Sequence, residues 1–239
     1  MRIAVLSDIH SNLVALDAVL ADAGEVDGIW VLGDIVGYGP DPDGVVARLA
    51  SRRATGVRGN HDAVATGDDD ASFFNPEART AALWTRDAIA EETRAWLAAL
   101  PDRAVEGDFT LVHGSPRDPM WEYVVSAGIA KENLEAFGTR HCLNGHTHVP
   151  VAYRSADGAV GSAAPGPVPL SLDGTRSLVN PGSVGQPRDG DPRASYAILD
   201  PGAATVEWRR VAYDIRATQA AIRARGLPER LAARLEHGH

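Results

Sequence analysis

Five short polar segments hold the residues best suited to chemistry: Asp8-Ile9-His10, Gly33-Asp34-Ile35-Val36-Gly37, Gly59-Asn60-His61-Asp62, His113-Gly114 and Gly145-His146-Thr147-His148. Taken singly, each has an ordinary explanation. An Asp-x-His spacing arises by chance, Gly-Asp after an apolar run is a common turn, and a lone histidine such as His113 is more often structural. The pair His146 and His148 is stronger, because residues two apart in extended chain point the same way. Taken together the segments claim five of the eight histidines, leaving His141, His237 and His239 outside. Their carboxylates, amide and imidazoles form a mixed oxygen and nitrogen donor set that suits Zn, Mn or Fe in a hydrolytic site.

The apolar patterning explains how segments so far apart converge. Ile3 to Ser7, Gly28 to Gly33 and Ala54 to Arg58 read as buried strands. They are separated by a helix over Ser11 to Ala23, with Leu13, Leu16, Val19 and Leu20 on one face, and by a helix opened by Asp41-Pro42 and running to Ala50. This β-α-β-α-β start predicts an α/β protein with parallel strands. Asn75-Pro76 opens a helix to about Ala90, Glu91 to Leu100 forms another, and Ile129 to Phe137 a third. Phe109 to Val112, Cys142 to Asn144 and Val151 to Tyr153 are further strands. Leu178-Val179, Ser195 to Leu199 and Val206 to Ala212 read as late antiparallel neighbours, and Ser162 to Pro169 as a loop. Helices over Asp214 to Arg225, closed by Gly226, and over Pro228 to Leu235 end the chain. Each of the five polar segments thus falls at or just beyond a strand end, where open α/β sheets gather ligands.

Bulk properties narrow the function. The 239 residues fit one large domain, 1–239, and 44% hydrophobic content is enough to bury a real core. A net charge of -9 argues against general adhesion to nucleic acid or anionic membranes. Cys142 is the lone cysteine, which excludes a disulfide scaffold. The opening run Ile3 to Leu6 is too short for a leader or a membrane span, so the default compartment is the cytoplasm.

The ordered set Asp8-x-His10, Gly33-Asp34-x-x-Gly37, Gly59-Asn60-His61-Asp62, His113 and Gly145-His146-x-His148 resembles the calcineurin-like metallophosphoesterases. A later stretch, Asn180-Pro-Gly-Ser-Val-Gly-Gln-Pro-Arg188, resembles their small bacterial and archaeal phosphodiesterase-like branch, some members of which are called diadenosine tetraphosphatase-like. The resemblance implies a four-layer αββα sandwich of two mixed β-sheets flanked by helices, with two transition-metal ions (Mn, Fe or Zn) at the top of the sheets. It assigns Asp8, His10, Asp34 and His148 to one ion. Asp34, Asn60, His113 and His146 go to the other, with Asp34 bridging. His61 is the implied general acid, with Asp62 orienting its ring. Two such ions clamp the attacking and leaving oxygens of an in-line displacement and lower the pKa of bound water to about 7, so that metal-activated hydroxide is available at neutral pH.

Beyond the metals, Arg58 and Arg188 are candidates for phosphate contact, since guanidinium matches phosphate geometry. Tyr38, Trp121 and Tyr123 are candidates for stacking on a nucleotide base, with Ser115 to Ser126 as a substrate-shaping loop. Ion pairing and packing are the competing roles for these residues. The acidic run Asp68 to Asp70 reads as a solvated loop. The resulting expectation is hydrolysis of a small phosphodiester or nucleotide. The alternatives are a dinucleoside polyphosphate substrate and, against the complete donor set, a non-catalytic metal-binding scaffold.

Overall fold

The computed structural model describes residues 1–156 and 159–239. The first half runs β1 (Ile3–Leu6), α1 (Leu13–Ala23), β2 (Gly28–Leu32), α2 (Pro42–Ser51), β3 (Thr55–Val57), α3 (Asn60–Thr66), α4 (Pro76–Ala88), α5 (Glu91–Ala98), β4 (Arg103–Glu106) and β5 (Phe109–Val112). The second runs α6 (Ala127–Asn133), β6 (His141–Leu143), β7 (Val151–Ala156), β8 (Ala159–Ala163), β9 (Leu170–Ser171), β10 (Arg176–Asn180), β11 (Ala194–Asp200), β12 (Thr205–Val211), α7 (Ile215–Ala224) and α8 (Glu229–Ala233). A 3-10 turn over Arg234–Glu236 closes the chain. The caps expected at Asp41 and Asn75 form, and Asn12 and Asp214 supply two more. Side chains of Asn12, Asp41, Asn75 and Asp214 accept backbone N–H groups in the first turns of α1, α2, α4 and α7, and proline follows Asp41 and Asn75.

The strands make two six-stranded sheets, ordered β3-β2-β1-β11-β12-β9 and β4-β5-β6-β10-β7-β8. Both are mixed. In the first, β1, β2 and β3 are parallel while β11 runs against β1; in the second, β5, β6 and β10 are parallel while β4 and β7 run against their neighbours. Side-chain alternation on β1 shows how the layers stack. Ile3 and Val5 face the second sheet, meeting Leu111, Leu143 and Val179 across the centre. Ala4 and Leu6 face outward into Leu16, Val19, Val45, Leu49 and Leu97 on α1, α2 and α5. The far side of the second sheet presents Val112, Cys142 and Leu178 to Ala130 and Leu134 beside α6. The result is the four-layer αββα sandwich. Burying strands on both faces explains their nearly continuous apolar runs.

Several elements depart from expectation. Gly59 to Asp62 is the mouth of a helix, α3, and not only a strand-end loop. Strand β10 lies in the second sheet, so Leu178-Val179 is not a neighbour of β11 and β12. The strands β4, β8 and β9 are additional. Strand β8 also claims the start of the expected Ser162 to Pro169 loop. Helix α6 sits earlier than Ile129 to Phe137. No helix among the described residues is long and apolar enough to cross a membrane.

Candidate metal centre

The parallel strands β1, β2 and β3 of one sheet and β5 and β6 of the other end at one edge of the sandwich. Backbone bonds continue past the strand ends and lock the polar loops together. Asp8 N–H donates to Gly33 O at 3.1 Å, His10 N–H to Asp34 O at 3.0 Å, and Gly145 N–H to His113 O at 2.8 Å. Here Asp8, His10, Asp34, Asn60, His61, His113, His146 and His148 converge, each with 4% or less of its surface exposed. Burial that deep of so many ionisable groups needs partners.

The donor atoms fall into two outer sets, and His61 also comes within reach of His10 and Asp34 between them. Asp8 Oδ1 and His10 Nε2 each lie close to His148 Nε2, both at 3.2 Å. His113 Nε2 lies 3.1 Å from Asn60 Oδ1 and 3.0 Å from His146 Nδ1. Asp34 Oδ2 stands between them, 3.7 Å from His10 Nε2 and 3.4 Å from His113 Nε2. Its other oxygen accepts the His61 N–H at 2.9 Å.

These atoms fit a cation in each set. His10 Nδ1 faces the Val36 carbonyl at 3.2 Å, His148 Nδ1 faces Gln186 O at 2.6 Å, and His113 Nδ1 faces Leu32 O at 2.8 Å. A carbonyl only accepts, so each of these Nδ1 atoms carries the proton, and the neutral rings of His10 and His148 turn a lone pair at Nε2 toward the centre. Two such lone pairs at 3.2 Å, beside a carboxylate oxygen, Asp8 Oδ1, that has no hydrogen-bond donor, repel unless a cation sits among them. Burial lowers His10 well below the ordinary histidine range and lowers His148 as well, which favours free lone pairs. Burial, then His113, lowers His146 to about 3. His113 differs. Burial opposes its charge, but the carboxylates of Asp34 and then Asp8 together raise it to about 9. Burial works against ionised Asp34 too, yet His113 and His61 hold it well below the carboxylate range.

His61 sits at the rim, its ring 4.3 Å from that of Tyr38 and 4.5 Å from that of Phe74. Burial lowers it to about 4. A Cβ at Gly37, whose φ is +89°, would overlap the His61 ring, so glycine there makes room for it.

Asp62 does not orient His61, contrary to expectation. His61 Nδ1 has no hydrogen-bond partner among the described residues. The Asp62 carboxylate instead accepts three backbone N–H groups, from Ile35 at 3.2 Å, Val36 at 3.0 Å and Gly59 at 2.9 Å. It therefore ties the Asp34 loop to the start of α3. Asp62→Ala is accordingly expected to lower stability by about 3 kcal/mol or more, because buried donors lose their acceptor. Denaturant titration measures this; an unchanged midpoint would refute the tie.

Arg58 takes the ion-pairing role instead of facing the cleft. It donates to Asp102 Oδ1 at 2.7 Å and pairs with Asp68, and it does not line the cleft over the donor atoms. The role of Asp68 in that pair also means the acidic run is not merely solvated. Arg188 and Tyr38 do line the cleft, as do Trp121 and Tyr123, the latter stacked on His146 with centroids 3.8 Å apart. The cleft measures about 140 Å³. Its wall adds Phe73 and Phe74, which the sequence reading missed. Phe74 packs on Trp121 at 5.4 Å, and Phe73 is 82% exposed. The adjacent Phe-Phe after an acidic run was the available signal.

Five of the gathered residues hold left-handed backbone: Asp8, His10, Asp34, His146 and His148 have φ between 48° and 67°. Such conformations are uncommon outside glycine and cluster at functional sites.

A four-layer sandwich with facing Asp/His donor sets at its strand ends defines a metallohydrolase type of site. Residues 1–203 match the calcineurin-like phosphoesterase superfamily domain. An uncharacterized protein of Methanocaldococcus jannaschii is 38% identical over 98% of this chain and 96% of its own length. A metallophosphoesterase from Sphaerobacter thermophilus is 49% identical, and its crystal structure superposes with a TM-score of 0.92 over 100% of this chain and 99% of that one. A symmetrical bis(5'-nucleosyl)-tetraphosphatase from Pectobacterium carotovorum is 33% identical over 54% of this chain and 48% of its own. The chain belongs to the calcineurin-like phosphoesterase superfamily. It is a metallophosphoesterase, a hydrolase of phosphoester bonds.

Proposed function

We propose that the protein hydrolyses a phosphodiester or nucleotide-type substrate at a dinuclear centre. Asp8, His10, Asp34 and His148 hold one ion, and Asp34, Asn60, His113 and His146 hold the other, drawn from Mn, Fe and Zn. The observation that carries this reading is Asp34 Oδ2, in reach of the imidazoles of both sets. Ions held there supply Lewis acidity and a nucleophile at neutral pH.

The remaining tasks fall to side chains. His61 donates a proton to the leaving oxygen. Burial lowers its pKa, and a phosphate anion beside it would favour the protonated form. Arg188, on the cleft wall, steadies phosphate oxygens. Phe73, Phe74, Trp121 and Tyr123 offer flat apolar faces to a base or aromatic leaving group, and Tyr38 packs beside His61. A second reading, a dinucleoside polyphosphate as substrate, draws on the named activity of the Pectobacterium relative.

The test reconstitutes the protein separately with Mn, Fe and Zn. It then screens bis(p-nitrophenyl) phosphate, phosphomonoesters, cyclic nucleotides and dinucleoside polyphosphates. The expected result is turnover of diesters with two equivalents of metal bound. Metal-loaded protein without any turnover would leave only a binding scaffold.

A further inference from the structure

A second basin opens from the metal cleft. It shares Tyr38, Asn75, Tyr123 and Arg188 with that cleft and is closed on its far side by Arg230, Arg234 and Glu77, enclosing about 450 Å³. Arg230 and Arg234 come from α8 and the turn after it, beyond the residues 1–203 that match the superfamily domain. The C-terminal segment is firmly seated. Ile222, Leu227, Leu231 and Leu235 pack against Tyr38, Ala78 and Ala81. The arginines are therefore held over the site and not on a loose tail.

Their charges are poorly matched. Three guanidinium groups face one carboxylate, Glu77, which reaches Arg230 only at 3.7 Å. Arg234 has no carboxylate side chain in ion-pair range among the described residues, and its Nε donates to a main-chain oxygen of His239, the last residue of the sequence. Arg188 donates one N–H to Gln186 Oε1 at 2.9 Å, lies 5.8 Å from the Tyr38 ring centroid, and has a buried Nε without a partner. Burial, and then repulsion from Arg188, lowers Arg234 to about 10. Three guanidinium groups gathered in a concave wall that holds one carboxylate suit a multiply charged anion, and guanidinium suits phosphate above all.

Resting on the phosphoesterase reading, we infer that Arg188, Arg230 and Arg234 form a second phosphate subsite, so that the substrate carries a further phosphate group beyond the scissile one. The metal cleft takes the phosphorus that reacts, the basin takes the distal phosphate, and Arg188 stands at their junction. Substrates with a polyphosphate chain bridge the two, whereas a simple diester fills only the first.

The test uses the full-length, metal-loaded protein. Calorimetry compares inorganic tripolyphosphate with orthophosphate, for the wild type and for Arg230→Ala, Arg234→Ala and the double variant. Circular dichroism checks folding. Arg230 is 77% exposed, so Arg230→Ala folds even should Arg234→Ala not. The wild type is expected to prefer tripolyphosphate, and each variant to cut that preference about tenfold, the scale of one charge-assisted hydrogen bond. An unaltered preference in the double variant, or none in the wild type, would overturn the subsite. Turnover of bis(p-nitrophenyl) phosphate by the wild type is measured in parallel. Arginine-dependent tripolyphosphate binding without any ester turnover would overturn the phosphoesterase reading and leave the subsite standing.

Discussion

Asp34→Ala is expected to release both ions and to lower turnover by about three orders of magnitude or more, since two-metal stabilisation supplies several kcal/mol and each 1.36 kcal/mol is tenfold in rate. The reason lies in one oxygen. Asp34 Oδ2 is 3.7 Å from His10 Nε2 and 3.4 Å from His113 Nε2, so its loss weakens both donor sets at once. The variant also removes the acceptor for the His61 N–H. Asp34→Asn separates the effects, because it keeps that acceptor and the side-chain shape while removing the negative charge. Metal content by mass spectrometry and kcat on one diester are the measurements. An alanine variant that still binds two equivalents of metal would end the bridging assignment.

His61→Ala has the second largest effect. Loss of a general acid costs about 10²–10⁴ in rate, and the cost should grow with the pKa of the leaving group. A p-nitrophenolate departs without help, whereas a nucleoside alkoxide does not. The variant should keep its metals, since the Nε2, Oδ1 and Oδ2 atoms of both sets belong to other residues. Equal losses on good and poor leaving groups would argue for a positioning role instead. Release of both ions would remove the acid assignment altogether.

The residues that converge at the candidate centre were legible in the sequence because strand ends and polar segments coincide. Asp8, Asp34 and His113 follow apolar runs that are buried on both faces, and such runs stand out. The layered architecture came from the resemblance carried by those segments, with the β-α-β-α-β start pointing the same way. What stayed hidden was decided by tertiary contacts. Strand β4 is exposed over Arg103, Val105 and Glu106 and forms only because β5 offers an edge. Helix α3 spans seven residues behind a glycine cap, too short for a clear periodicity. The role of Asp62 depends on where Ile35 and Val36 lie after folding, and adjacency to His61 pointed to the wrong partner. Arg58 takes the ion-pairing role of its two candidate roles, and its carboxylate partners lie 10 and 44 residues away. The aromatic wall and the C-terminal arginines carry no motif, and only packing brings them to the cleft.

The left-handed backbone at Asp8, His10, Asp34, His146 and His148 bears on how this protein responds to directed evolution. Each such residue stores about 1–3 kcal/mol that glycine would not. Screening a mutant library for heat tolerance in chelator-treated lysate would therefore reward glycine at those positions, and the hardiest survivors would be inert. Passing the same library through heat in metal-rich buffer, where bound ions stabilise the folded chain, would instead keep the donors in place.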